Sequence, residues 1–219
     1  MKYQGIFSAL ALLAATELAA APEPKTASPA AGSTTSVYSV TRNGSPIGTM
    51  STNIAKAGDT IAVTTKTAIE VKVIIVLYRL SQSTTETWRG DQLLSFTSET
   101  DDNGTAHTIT VKASPRDLII NVDGKTVSAP AGTMPTSFWS TRFLRAKALL
   151  NNDDGAIIHV VSRNLGAEQI NVRGALHQAQ HYKVSGGKEF ERDIWFDGDQ
   201  LLRVRLKGSD GSLISSDLQ

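Results

Sequence analysis

Turn dipeptides recur along this chain and limit it to a largely antiparallel β fold. Each pairs a glycine with Asn, Asp or a second Gly, residues that readily adopt the left-handed backbone conformation of tight hairpins. They are Asn43-Gly44, Gly58-Asp59, Gly90-Asp91, Asn103-Gly104, Asp123-Gly124, Gly186-Gly187, Asp197-Gly198 and Asp210-Gly211. The chain between them is rich in β-branched residues or alternates polar with apolar residues, as half-buried antiparallel strands do.

The clearest strand patterns lie at residues 60–67, 105–111, 117–122, 156–162 and 201–206. Segments 60–70 and 78–88 are longer than most strands, and long strands persist best in a strongly bent sheet or a barrel. We therefore predict a mainly β fold, either a strongly bent antiparallel meander or a partly open β-barrel.

One segment, residues 140–151, has a different period. Phe143, Ala146 and Leu150 follow helical spacing, and Ser140 or Thr141 is available as the N-cap. We predict one helix there, packed on the concave face of the sheet. It could fill the interior as a core element or act as a movable lid over a cavity.

The N-terminus has the pattern of an export signal. Lys2 precedes an apolar stretch at residues 6–16, which is too short to span a bilayer, and small residues surround Ala21. We predict a signal peptide at residues 1–21, a flexible linker at 22–35 and a single β-rich domain at 36–219. The predicted location is periplasmic or secreted. An uncleaved N-terminal helix is the alternative, since Glu17 is unusual beside a cleavage site.

Charge and cysteine content exclude several classes of function. Lys and Arg number 22 against 21 Asp and Glu, so no strong positive field is available to bind nucleic acid. The chain has no cysteine, which excludes disulfides, thiolate nucleophiles and Cys-ligated zinc or iron–sulfur clusters. We expect no cofactor and no transmembrane anchor after processing.

The polar motifs give little support for catalysis or metal binding. His177 and His181 have the spacing of helical metal ligands, but their segment alternates like a strand, where the rings would be about 13 Å apart. Glu86 and Asp193 each precede a tryptophan by two residues on the same strand face. Either carboxylate could be a salt-bridge partner or a polar anchor in a pocket. A carboxylate-based hydrolase would require the two to converge with raised pKa values.

A set of motifs resembles a known family. The positions are Tyr38, Val40, Asn43-Gly44, Ile47-Gly48-Thr49, Glu86-x-Trp88, the run at 100–104, Pro135-Thr136-Ser137-Phe138-Trp139, Leu149-Leu150-Asn151 and Asp193-x-Trp195-Phe196-Asp197. Across residues 37–218 the chain resembles a bacterial exported family catalogued as domain of unknown function six-one-three-four. The family resembles other exported antiparallel proteins, some of which share curved half-barrels with lipoprotein carriers. The resemblance implies export and a β-rich domain, and it implies no activity.

Apolar residues in a bent sheet suggest a ligand site on its concave face. The candidate ligand-binding residues are Val73, Ile75, Tyr78, Trp88, Phe138, Trp139, Phe143 and Trp195. The predicted partner is a lipid, an acyl chain or another hydrophobic small molecule. One alternative is an envelope protein partner that docks on the aliphatic segment 71–77. The other is the carboxylate-based hydrolase.

Overall fold

The computed structural model describes residues 32–72, 76–187 and 190–219. The first half of the domain is a meander of strands β1 (Ser33–Arg42), β2 (Ser45–Ala57), β3 (Thr60–Lys72), β4 (Val76–Arg89), β5 (Gln92–Asp102), β6 (Thr105–Ala113), β7 (Asp117–Val122) and β8 (Lys125–Pro130). A small sheet follows, made of β9 (Met134–Pro135), β10 (Ala148–Leu150) and β11 (Ile157–His159). The second meander contains β12 (Val161–Val172), β13 (Ala175–Gly186), β14 (Phe190–Asp197), β15 (Gln200–Lys207) and β16 (Leu213–Leu218).

The two meanders form one sheet because the first and last strands pair. β1 and β16 are antiparallel neighbours, with Tyr38 opposite Leu218 and Arg42 opposite Ile214. The resulting 13-stranded sheet runs from β12 through β16 and β1 to β8. Within the described ranges its edges, β8 and β12, are not paired with each other, so the sheet is a partly open barrel. The predicted mainly β, antiparallel fold class is confirmed.

Tight turns connect the strands where the glycine dipeptides predict them. Asn43 and Gly44 have φ values of 49° and 83° between β1 and β2, and Asn103 and Gly104 have 53° and 88° between β5 and β6. The long strands are also confirmed, since β3 has 13 residues and β4 has 14. Segment 156–162, predicted as one strand, is divided between β11 and the start of β12.

The N-terminal predictions fall mostly outside the described residues. The proposed signal peptide at 1–21 and residues 22–31 of the proposed linker are not among them. β1 begins at Ser33, so the last residues of the segment predicted as linker already belong to the sheet.

The predicted helix at residues 140–151 is wrong. The structure has a short 3-10 turn at Thr141–Arg145, and Ala146 then returns to an extended backbone with φ −70° and ψ 136°. Ser140 makes no side-chain capping hydrogen bond. Leu149 and Leu150 point into two different core clusters, as consecutive residues of a strand buried on both faces do. A short apolar run fits an amphipathic helix and a doubly buried strand equally well, and β-pairing with β9 and β11 decided this one.

Two apolar clusters fill the concave side of the sheet, one for each meander. The first contains Phe143 and Leu149 together with Ile194 and Phe196 of β14. The second contains Leu150 together with residues of strands β3 to β8, including Trp88. The segment between β8 and β12 therefore packs inside the bent sheet and joins its two halves. No helix in the described ranges is both long enough and apolar enough to cross a bilayer.

Candidate functional site

A cavity of about 530 Å³ opens at one end of the concave face. Its walls come from the two strand groups that meet at the β1–β16 pairing. The aliphatic and aromatic residues that line it are Ile47, Ile69, Val71, Tyr78, Leu206 and Ile214, and the polar ones are Arg42, Asp153, Arg192, Gly208, Ser209 and Asp210.

Strand alternation explains why the lining of the first wall is aliphatic. On β3, Val63 is fully buried in the core, and Ile69 and Val71 lie on the same face because side chains alternate with a period of two. Tyr78 of β4 pairs directly with Val71, so it shares that face. The apolar stripe of the long β3–β4 hairpin thus continues beyond the packed core and forms a wall of the cavity.

The opposite wall is built in the same way on the second meander. Leu206 of β15 is paired with Ile214 of β16, and Ile214 is paired with Arg42 of β1. Val204, two residues before Leu206, packs against the first core cluster, which places this face on the concave side. Both walls are therefore aliphatic, and they meet only because the first and last strands are neighbours.

Tyr78 stands in this cavity as a neutral phenol. Burial, and then the interaction with Asp102, raise its pKa to about 12. A neutral hydroxyl on an apolar ring can donate or accept one hydrogen bond without adding a charge.

A carboxyl group lies at the edge of the cavity in the loop that follows β10. Asp153 is exposed to solvent, and its Oδ1 accepts a hydrogen bond from the Nε2 of Gln82 at 2.7 Å. The protein atoms crowded around the carboxyl raise the pKa of Asp153 by desolvation. Asp153 therefore takes up a proton at a higher pH than an ordinary aspartate does.

Two arginines contribute to the cavity, and their surroundings differ. Arg42 forms an ion pair with Asp210. The Ser212 hydroxyl and backbone N–H, followed by Arg42, hold the pKa of Asp210 far below its ordinary value, so this pair is neutral as a unit. Arg192 of β14 donates from Nη1 to the carbonyl oxygen of Glu191 at 2.9 Å, and its guanidinium lies 4.3 Å from the centre of the Phe190 ring.

Of the predicted ligand-binding residues, Tyr78 is the one that the structure places in this cavity. Val73 and Ile75 lie outside the described residues. Trp88, Phe138 and Phe143 are packed in the core with 1%, 6% and 2% exposure, so they support the sheet and leave no surface for a ligand.

The two remaining tryptophans also lie away from the cavity. Trp139 is partly exposed and meets Trp88 edge to face, with ring centroids 6.1 Å apart. Trp195 points to the opposite side of the sheet, because its neighbours Ile194 and Phe196 fill the concave core. There it stacks on His181, with ring centroids 4.2 Å apart.

Glu86 is a buried carboxyl group and is separate from Asp193. Its Oε2 accepts hydrogen bonds from the indole N–H groups of Trp88 at 2.7 Å and Trp139 at 2.9 Å. Its Oε1 has no hydrogen-bond partner among the described residues, and burial raises the pKa of this group. Asp193 lies on the outer face, 2.9 Å from His181. The two carboxylates do not share a cleft, so the geometry required for a carboxylate-based hydrolase is not present at these residues.

Both histidines of the H-x-x-x-H motif lie on β13, as the alternation predicts. Each has its own carboxylate neighbour: His181 contacts Asp193, and His177 lies 3.7 Å from Asp197. In the part of the chain that the structure describes, no three His, Asp or Glu side chains are grouped closely enough to hold a metal ion.

The sequence of this chain matches the model of a known family. Residues 38–219 match the family model described as Domain of unknown function (DUF6134). The chain belongs to this family. Two positions of the family resemblance have clear structural roles in this DUF6134 domain. Tyr38 donates a hydrogen bond to the Leu201 carbonyl oxygen at 3.2 Å across the meander junction, and Gly48 lies where a Cβ would overlap the Ala68 carbonyl oxygen.

Among solved structures, the DUF6134 domain is similar to a beta-barrel-like protein of Domain of Unknown Function DUF1849 from Brucella abortus. The TM-score is 0.63 at 9% sequence identity, and the alignment covers 84% of this chain and 94% of the other. At this identity the similarity establishes a shared barrel-like fold. A comparison with curated proteins finds no significant match.

Sequence reasoning missed most of the cavity lining. The alternation of segment 60–70 puts Ile69 on the apolar face, and the next step of the same alternation adds Val71. This wall of the cavity could therefore have been predicted from the sequence. Leu206, Ile214 and Arg192 reach the cavity through the pairing of β1 with β16, which no local pattern indicates.

Proposed function

We propose that this protein binds an apolar or amphipathic ligand, a lipid or an acyl chain, in the cavity at the end of its concave sheet. The observation that carries the proposal is the pair of aliphatic walls around a space of about 530 Å³. Small-molecule sites commonly enclose about 300–1,000 Å³, with mostly apolar walls and a few polar groups that orient the ligand. Tyr78 and Asp153 are such polar groups.

The proposal is tested by filling the cavity. The Ile69→Trp substitution puts an indole into the space between the walls, whereas Ile119→Trp makes the same change at a residue with 44% exposure on β7. Monolauroylglycerol, which is uncharged, is titrated against an environment-sensitive apolar fluorophore bound to each protein. We expect displacement with the unmodified chain and Ile119→Trp, and at least a tenfold loss of affinity with Ile69→Trp. Equal affinity for all three proteins would refute the cavity as the site.

We also propose that the protein acts outside the cytoplasm, in the periplasm or after secretion. The support is the basic residue, apolar stretch and small residues at positions 1–21. Intact-mass measurement of protein from the envelope fraction tests this proposal, and we expect a chain that starts next to Ala21. A cytoplasmic chain that retains Met1 would contradict export without affecting the cavity proposal.

A further inference from the structure

Arg192 brings to the cavity a positive charge that no ion pair neutralises in the part of the chain that the structure describes. Arg192 lies on the concave side of β14, because it pairs with the fully buried Val184 and is two residues from the fully buried Ile194. Desolvation lowers the pKa of its guanidinium, but arginine stays protonated at physiological pH. A cation is therefore held beside two aliphatic walls.

The contacts of Arg192 leave most of its donors free. One Nη1 donor is used by the Glu191 carbonyl oxygen, and the face of the guanidinium covers Phe190. Within the described ranges, no carboxylate lies within the 4.0 Å ion-pair distance of this guanidinium. Arg42, on the same cavity, differs because Asp210 neutralises it. Asp153 is the acidic group that most influences Arg192, and it lies beyond this distance.

We propose that Arg192 binds the anionic head group of an amphipathic ligand whose apolar chain lies against Ile69, Val71 and Leu206. This inference rests on the proposed function and names its ligand class, a single-chain carboxylate or phosphate. The guanidinium fork presents parallel N–H donors that match the oxygen pairs of both groups. The nearby walls exclude part of the solvent, and charge-assisted hydrogen bonds are stronger there than in bulk water.

The test separates the head group from the chain. Laurate, dodecyl phosphate and uncharged monolauroylglycerol carry chains of similar length, and inorganic phosphate supplies the anion without a chain. Each is titrated against the apolar fluorophore on the unmodified protein, on Arg192→Gln and on Arg116→Gln, which replaces an exposed arginine in the turn before β7. A hydrogen bond to a charged group contributes enough for about a tenfold or greater preference for the two anionic lipids over monolauroylglycerol.

We expect Arg192→Gln to lose that preference while it binds monolauroylglycerol as the unmodified protein does, and Arg116→Gln to keep the preference. Equal binding of charged and uncharged lipids by the unmodified protein would overturn the role of Arg192 and leave the proposed function in place. The role of Arg192 would also be overturned if the preference for anionic lipids survived in Arg192→Gln. It would be overturned as well if inorganic phosphate displaced the fluorophore as effectively as dodecyl phosphate does. If none of the three lipids binds, the proposed function itself fails.

Discussion

Replacing Glu86 with glutamine should change how stability depends on pH. Glu86 is fully buried, with one oxygen bonded to two indoles and the other without a described partner, and burial raises its pKa above the ordinary 4.5. Below that pH the residue is protonated in both the folded and the unfolded chain. At higher pH the unfolded chain loses the proton first, so the free energy of unfolding falls by about 1.4 kcal/mol per pH unit until the folded pKa is reached.

Glutamine cannot titrate, so the Glu86→Gln variant loses this slope. At pH 4 the variant should be less stable by about 1–3 kcal/mol, because its buried amide carries two N–H donors in place of the single O–H of the protonated carboxyl. As the pH rises, the unmodified protein loses stability and the variant does not. The difference between their free energies of unfolding should therefore shrink and then change sign, at about 1.4 kcal/mol per pH unit. Urea denaturation from pH 4 to 8, followed by tryptophan fluorescence, measures both curves, since Trp88 and Trp139 lie against this side chain.

The matched control is Glu99→Gln, at an exposed carboxylate on the neighbouring strand β5. Its stability should remain within about 0.5 kcal/mol of the unmodified protein throughout the pH range. If the Glu86→Gln and unmodified curves run parallel from pH 4 to 8, Glu86 does not hold its proton in the folded state, and the account of this buried carboxyl is incorrect.

Two further substitutions test the packing that supports the cavity. Phe143→Ala should lower the free energy of unfolding in urea by about 3–5 kcal/mol, because this ring is 2% exposed between Phe138 and Phe196. Leu213→Ala is the control, since Leu213 is 43% exposed, and it should cost less than about 0.5 kcal/mol. Similar losses of stability in the two variants would contradict the interior position of the 3-10 turn. Gly48→Ala should prevent normal pairing of β2 with β3, since its Cβ would overlap the Ala68 carbonyl oxygen; a soluble variant with an unchanged melting temperature would show that this close approach is not required.

Local chemistry explains the part of the fold that the sequence predicts correctly. Asn43-Gly44 and Asn103-Gly104 form tight turns because few other residue pairs tolerate positive φ at two successive positions. The alternation of β3 and β7 likewise identifies them as strands without knowledge of their neighbours. These features depend on residues a few positions apart, and such residues are visible in a single sequence.

Tertiary contacts explain the rest. Leu149 and Leu150 have the spacing of a helix, but two core clusters on opposite sides of β10 make a strand the better arrangement. The cavity depends on pairing between β1 and β16, at opposite ends of the domain, so Arg192 and Leu206 had no local signature of a site. Tyr78, the candidate that the structure places in the cavity, directly follows the aliphatic segment 71–77. Trp88 and Phe143 share its apolar character, and only packing distinguishes core from cavity wall.

Chain-length dependence of binding is the most direct test of an acyl-chain site in this cavity. Dissociation constants are measured for monoacylglycerols with eight, ten and twelve carbons, with the unmodified protein and with Ile69→Trp. Each buried CH₂ contributes about 0.8 kcal/mol, so affinity should rise by about fourfold per carbon until the space of about 530 Å³ is filled. Ile69→Trp should stop this increase at a shorter chain. Affinities that do not change with chain length, or that rise equally in both proteins, would contradict the account.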